Sequence, residues 1–287
     1  MEKSANCKCR NVYRLIFLVF FFIGLLNIST GNCQAVNGLL PGKYLYAPND
    51  SALFRLSFLI PSTVENQKLD VNDLQQLRHY APDGFDYDLQ KHLQDAGAMP
   101  DSFYVDSLKA GTHMVILHSK NIYKEFPRDS IHEYIKKYAP AGDLKNFNES
   151  SDSTHKTTMQ FQLSFKCILQ AGKIYSNNSE LKTSLPLDIV PAKNVYDAKN
   201  GKPVKISFTV YFKGKPVKKA KIHLMHRNND GIILSGLPVT ADNRGRIKIR
   251  VEQTGEWIIS SVHLVKTTAG SKVEWQNYLA GVSWGFK

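Results

Sequence analysis

Between Val204 and Phe212 the chain alternates without a break: Val204, Ile206, Phe208, Val210 and Phe212 are apolar, and Lys205, Ser207, Thr209 and Tyr211 lie between them. A period of two marks a strand with one face buried and one face wet. After the Gly-Lys-Pro turn at Gly214–Pro216 the same phase returns in Ala220, Ile222 and Leu224. It returns again after the turn Ala241–Gly245 in Ile247, Ile249 and Val251, and after Gly255 in the run WIISSVHLV. The chain closes on Ala280, Val282, Trp284 and Phe286 in one phase. Short strands punctuated by Gly, Pro, Asn and Asp predict an antiparallel sandwich.

The amino-terminal half is less regular. Leu53–Ile60 reads as a buried strand, and His113–His118 as a short one after Gly111. Asn72–Ala96 is polar, with Leu74, Leu77, Leu89 and Leu93 at three- and four-residue spacing, which predicts short helical pieces or a long excursion. Ile131, Tyr134, Ile135 and Tyr138 fall at i, i+3, i+4 and i+7, with Asp129 or Ser130 as cap, and predict an amphipathic helix near 129–138. Met159, Phe161, Leu163, Phe165, Cys167 and Leu169 share one parity of a long strand, and the other parity is polar except for Ile168. Ser176–Ser184 (SNNSELKTS) reads as a linker. The expected architecture is therefore mostly β, with two β-sandwich domains. Residues 36–184 form a β-rich domain with one amphipathic helix, and residues 185–287 form an immunoglobulin-like or transthyretin-like sandwich.

Residues 1–35 look like an export signal: Lys3, Lys8, Arg10 and Arg14 precede the apolar run Leu15–Leu26. Twelve residues rise only about 18 Å as a helix, short of a bilayer core. Cleavage after Ala35 fits, and a second reading makes Cys33 the acylated first residue of a lipoprotein. Either places the protein outside the inner membrane, in the periplasm or at the outer membrane. Cys7, Cys9 and Cys33 fall in or beside this segment, so Cys167 remains alone and cannot make an internal bridge. On the apolar face of its strand it is expected to behave as a small hydrophobe.

Charge is divided unevenly. Residues 36–184 carry 16 basic and 17 acidic side chains, and residues 185–287 carry 17 and 7, so the second half supplies most of the net +12. Lys213, Lys215, Lys218, Lys219 and Lys221 crowd one turn and strand. For an exported protein this argues against nucleic acid as partner. It favours anionic lipid, lipopolysaccharide or an acidic protein face, beside the plainer role of discouraging edge-to-edge aggregation.

Several stretches carry a family likeness: FKCILQAGK (Phe165–Lys173), LPLDIVPAKNVY (Leu185–Tyr196), VYFKGKPVKKAKIHL, TADNRGRIKI, GEWIISSVHL and VEWQNYLAGVSWGF, and more loosely AGTHMVILHSKNIYKEF and IHEYIKKYA. In these the chain resembles the NikM-like bacterial periplasmic proteins, a group of unknown function often labelled a periplasmic component of cobalt/nickel uptake. The likeness runs from about Ala110 to Phe286. It implies a ligand-binding or accessory protein of envelope uptake, with nickel or cobalt, or their complexes, as cargo and an outer-membrane receptor or uptake transporter as partner. One departure stands out: in Gly42-Lys43-Tyr44-Leu45-Tyr46-Ala47-Pro48, Gly42 occupies the place of a family histidine.

No catalytic site is expected. His132-Glu133 opens a helix as a zinc protease would, but Lys136 stands at i+4, where the second histidine is needed. There is no phosphate loop or CxxC pair beyond residue 35, and the expected protein is not an enzyme. His113 and His118 are five apart and point to opposite faces of a strand; His223 and His226 also diverge. A metal site must then be assembled between strands. His263 is its leading candidate, and His223 and Met225, which share a face, are candidate partners for a soft N/S site. The alternative function is a structural or interaction module whose basic half docks on an acidic partner or anionic surface. Sandwiches host many functions, so the site has to choose.

Overall fold

A sixteen-residue strand, Lys156–Ala171, organises the fold because nearly all of it is buried on both faces. The computed structural model describes residues 38–57, 71–95, 102–138, 156–197, 203–235, 239–268 and 271–286. The expected export signal, with Cys33, lies outside them, as do residues 143–155, whose Ser- and Asn-rich sequence reads as a surface loop. The strands are β1 (Gly38–Pro41), β2 (Leu45–Tyr46), β3 (Ala52–Ser57), β4 (Leu74–Tyr80), β5 (Asp86–Asp88), β6 (Ser102–Val105), β7 (Gly111–Ser119), β8 (Ile122–Pro127), β9 (Lys156–Ala171), β10 (Leu187–Pro191), β11 (Val204–Phe212), β12 (Lys215–Pro216), β13 (Lys221–Arg227), β14 (Ile233–Ser235), β15 (Val239–Thr240), β16 (Arg246–Val251), β17 (Glu256–Lys266) and β18 (Trp275–Gly285). The helices are α1 (Leu89–Asp95) and α2 (Arg128–Tyr138). Neither is long and apolar enough to cross a membrane.

The largest sheet runs β14-β13-β17-β18-β9-β7-β4-β5, with β15, β2 and β8 attached. Its strands pair antiparallel except where β9 meets β18 and β2, which lie parallel to it. Each face of this sheet carries a core. On one face Phe161, Phe165, Cys167 and Leu169 of β9 pack with Trp275 and Leu279 of β18 under the small sheet β1-β3-β6 and helix α2. On the other face Ile168 joins Trp257, Ile259, Val282 and Trp284 under the sheet of β10, β11, β12 and β16. Ile168, the one apolar residue of the polar parity, is thus where β9 touches the second core.

The mostly-β sandwich architecture stands, and each core draws on both sides of the 184/185 boundary: Leu264, Trp275 and Leu279 lie in the first and Ile168 in the second. The two cores share a sheet. Strand β18 pairs with β9 from Trp275↔Met159 to Ser283↔Cys167, so the backbone ladder runs across the 184/185 boundary. The segment expected as a linker is pinned rather than loose. Residues Asn177–Glu180 form a 3-10 turn with Ser179 buried, and the Asn178 side-chain amide donates to the carbonyls of Tyr80 and Ala81 at 3.2 and 2.7 Å.

Within 72–96 the expected short helical piece is α1, which carries Leu89 and Leu93, whereas Leu74–Tyr80 is a strand. A bulge between Leu74 and Gln76 shifts the register, so Leu74 and Leu77 both reach the first core although they are three apart. Helix α2 begins at Arg128, one residue ahead of Asp129, which sits in its first turn and favours the positive end of the helix dipole. Its apolar stripe is as expected: Ile131 and Ile135 are buried in the first core, with Tyr134 and Tyr138 packed against it.

Candidate functional site

The three metal candidates do not converge. On β13 and β17 the register pairs His223 with Ser260 and Ile222 with Ser261. His263 therefore shares the face of Ile222 and the second core, while His223 and Met225 point to the other face. His263 lies against Phe212, ring centroids 4.2 Å apart, and burial with the charge of Lys213 lowers its pKa. His223 Nε2 is hydrogen-bonded to the Tyr138 hydroxyl at 2.9 Å, fastening α2 to β13. Among the described residues no three His, Cys, Asp or Glu side chains gather as a metal would need. His226 stacks on Trp257 at 4.1 Å with Nε2 2.9 Å from the Thr254 carbonyl, a satisfied histidine at the strand end.

A different pair of histidines does meet. On β4 and β7 the register sets His79 opposite Val115 and Leu77 opposite Leu117, so His79 and His113 are diagonal neighbours on the face of the first core. His79 is 5% exposed and His113 fully buried. Their rings are 5.0 Å apart, and His79 Nε2 lies 2.8 Å from His113 Nδ1. His113 Nε2 lies 2.7 Å from the Lys109 carbonyl oxygen.

These two contacts fix the protons. A carbonyl oxygen only accepts, so His113 Nε2 carries hydrogen. Burial, the largest influence, lowers the His113 pKa and keeps the ring neutral, which leaves Nδ1 with a lone pair. His79 Nε2 must then donate to it. Burial first, and the neighbouring His113 second, pull the His79 pKa down to about 3, so His79 is neutral as well. Its proton is committed to Nε2, and its Nδ1 is a bare lone pair with no hydrogen-bond partner among the described residues.

Both rings line a cavity of about 510 Å³, within the range of small-molecule sites. Leu89 and Leu93 of α1 and Phe103 and Val105 of β6 supply apolar walls. Tyr87 of β5 stacks on His79 at 5.6 Å and continues the ring series outward. Tyr104, 61% exposed, stands at the mouth with Asp106, Ser107 and Lys109. Lys109 is held by Asp83 at 2.5 Å and lies over the Phe85 ring at 5.6 Å. The loop leading to β7 is fixed by Gly111. Its φ is +145°, and a Cβ at this position would stand 2.4 Å from the Pro82 side chain, so only glycine is admitted.

Sequence reasoning missed this site for two reasons. The bulge in β4 hid the strand on which His79 sits. His113 drew notice only for diverging from His118, whose Nδ1 in fact donates to the Leu163 carbonyl at 3.0 Å on the opposite face. The legible signal was the histidine in Leu77-Arg78-His79-Tyr80, in phase with Leu77.

A search of curated proteins finds no match. Among solved structures the chain is similar to the native conformation of Escherichia coli alpha-2-macroglobulin, at 13% identity over 91% of this chain and 15% of that one, with a TM-score of 0.22. It is also similar to the same protein activated by porcine elastase, at 12% identity over 86% and 20%, with a TM-score of 0.18. A mutant of Salmonella alpha-2-macroglobulin gives 10% identity over 89% and 16%, with a TM-score of 0.20. The chain spans at most a fifth of those proteins, and likeness at this level carries no argument about fold or function. A family model described as "Domain of unknown function (DUF4198)" matches residues 39–265, most of the chain, and the protein therefore belongs to the DUF4198 family.

Proposed function

We propose that this protein is a non-enzymatic, extracytoplasmic ligand-binding or accessory component of envelope uptake, and that the cavity floored by His79 and His113 receives the ligand. The observation that carries the reading is the unprotonated Nδ1 of a buried, neutral histidine on the wall of a cavity large enough for a small molecule. The basic-then-apolar amino terminus supports export, and the NikM-like resemblance supports a role in uptake. An imidazole held neutral by burial is a poor proton shuttle near neutral pH, which favours binding over acid–base chemistry.

Free nickel or cobalt fits the described residues poorly. Strong divalent binding wants three or four nitrogen or sulfur ligands, and His263 lies on the opposite face of the sheet from His223 and Met225. A nickel or cobalt ion already held by a chelator and keeping an open position needs one more nitrogen, which His79 Nδ1 would supply. Calorimetry of tag-free protein tests the reading with Ni²⁺, Co²⁺ and a panel of small organic molecules. Weak or no binding of the free ions is expected, with saturable binding of an organic or complexed ligand that His79→Phe removes. Sub-micromolar stoichiometric Ni²⁺ binding abolished by His263→Ala would replace this site with the strand-borne one.

A second reading, docking through the basic half, is supported by the exposed lysines Lys213, Lys215, Lys218, Lys219 and Lys221 around the β11–β13 turns. It predicts retention on anionic vesicles that is lost when these lysines become glutamine.

A further inference from the structure

Resting on that reading of the cavity, we propose that its ligand is a small organic molecule with an apolar, ring-containing body and an O–H or N–H donor at its buried end, which donates to His79 Nδ1. Polarity at the floor of the cavity is directional. The Lys109 carbonyl, His113 and His79 form one chain of hydrogen bonds in which each ring proton is committed to the next acceptor. What remains on the His79 edge is a lone pair alone. A ligand presenting a carbonyl or ether oxygen there would set lone pair against lone pair, and one presenting only hydrocarbon would bury an unsatisfied acceptor.

The walls argue for the ligand's body. Leu89, Leu93, Phe103 and Val105 offer no partner to a charge, while Tyr87, stacked on His79 within 21° of parallel, offers a ring face. The polar groups, Asp106, Ser107 and Lys109, follow β6 toward β7 beside exposed Tyr104. A donor-headed, ring-bearing molecule such as a phenol or an indole satisfies floor and walls together. A bare metal ion satisfies neither.

Matched pairs of probes test this: phenol against anisole, and indole against benzofuran, titrated calorimetrically into tag-free wild-type protein. Each pair keeps the shape and differs in the donor. We expect the donor-bearing member to bind about tenfold more tightly, about 1.4 kcal/mol, because its partner leaves the hydrogen bond to the acceptor unmade. His79→Phe, which keeps a ring and deletes the nitrogen, should bring the ratio near one. His113→Leu, which frees the His79 proton, should reduce it. Equal binding of phenol and anisole by wild type would overturn the donor rule and leave the cavity as the binding place. Binding of neither pair, with nickel–nitrilotriacetate binding in a His79-dependent way, would overturn it in favour of a complexed metal. Binding of no probe would overturn both the donor rule and the assignment of the cavity. The wild-type ratio decides the matter even if a variant fails to fold.

Discussion

At the scale of single residues, the side chains that break the expected pattern are the informative ones. Lys166 sits on the polar parity of β9 and reads as solvent-facing, yet it and Asp188 of β10 are both 2% exposed, with Nζ 2.5 Å from Oδ1. Thr183 donates its backbone N–H and its hydroxyl to Asp188 Oδ2, each at 2.9 Å, and Lys166 Nζ also reaches the Leu181 carbonyl at 3.2 Å. The pair stitches the shared sheet to the sheet above it. Removing one partner strands a buried charge, so Asp188→Ala is expected to cost about 3–5 kcal/mol in urea unfolding, whereas Lys166→Met with Asp188→Leu should cost much less. Equal losses would show that the charge is not what matters. Cys167 is the converse case, legible from parity alone: it is free, buried and in the first core, and burial pushes its thiol pKa well up. Thiol titration should be slow in the native protein and fast in denaturant. His79 adds a pH dependence. Its folded pKa of about 3 lies below the ordinary 6.5, so between these values the unfolded chain binds the extra proton. Stability should hold above about pH 6.5 and decline as pH falls toward about 3, and His79→Phe should flatten that decline. An unchanged slope in the variant would remove His79 as its source.

At the scale of elements, alternation was legible wherever a strand runs straight. Strands β11, β13, β16, β17 and β18 follow the phases read from Val204, Ile222, Ile247, Trp257 and Ala280, and the stripe of α2 places Ile131 and Ile135 inward. It failed at β4, because a bulge converts a period of two into an apparent period of three. It was incomplete for β9, because polar residues on a strand buried on both faces look like residues facing water. Gln170, for example, is buried, accepts from the Thr112 hydroxyl at 2.7 Å and donates to the Ile174 carbonyl at 2.7 Å. The site depended on β4, and so it was lost with it. Helix α2 is fastened to the sheet by Asn277 Nδ2 donating to the Tyr134 hydroxyl at 2.7 Å and by the Tyr138–His223 bond. Tyr138→Phe should cost about 0.5–1.5 kcal/mol in chemical denaturation, the worth of one hydrogen bond. A loss below measurement would mean that packing alone docks the helix.

At the scale of the molecule, two cores on opposite faces of one sheet make the halves interdependent. Separating residues 185–287 would strip β18 of β9 and expose both as long unpaired edges. Limited proteolysis within 176–184 should therefore leave the two pieces co-eluting, and residues 185–287 expressed alone should be insoluble or unfolded. A stable, soluble basic fragment would show that the second core suffices without the shared sheet. The cavity lies in the half that carries little net charge, on the face of the first core, so a basic docking surface and a ligand site can coexist on one scaffold.

The proton arrangement on the two buried imidazoles is the point on which the functional account turns, and nitrogen-15 NMR reads it directly. Long-range proton–nitrogen spectra of the wild-type protein at about pH 7, above the ordinary histidine value, should show His79 and His113 both neutral and both protonated at Nε2. The His79 Nδ1 resonance should lie at the unprotonated position and shift toward lower frequency as phenol is added and hydrogen-bonds to it. A proton on His79 Nδ1, or a charged His79 at that pH, would contradict the account, because the cavity would then offer a donor where this reading requires a lone pair.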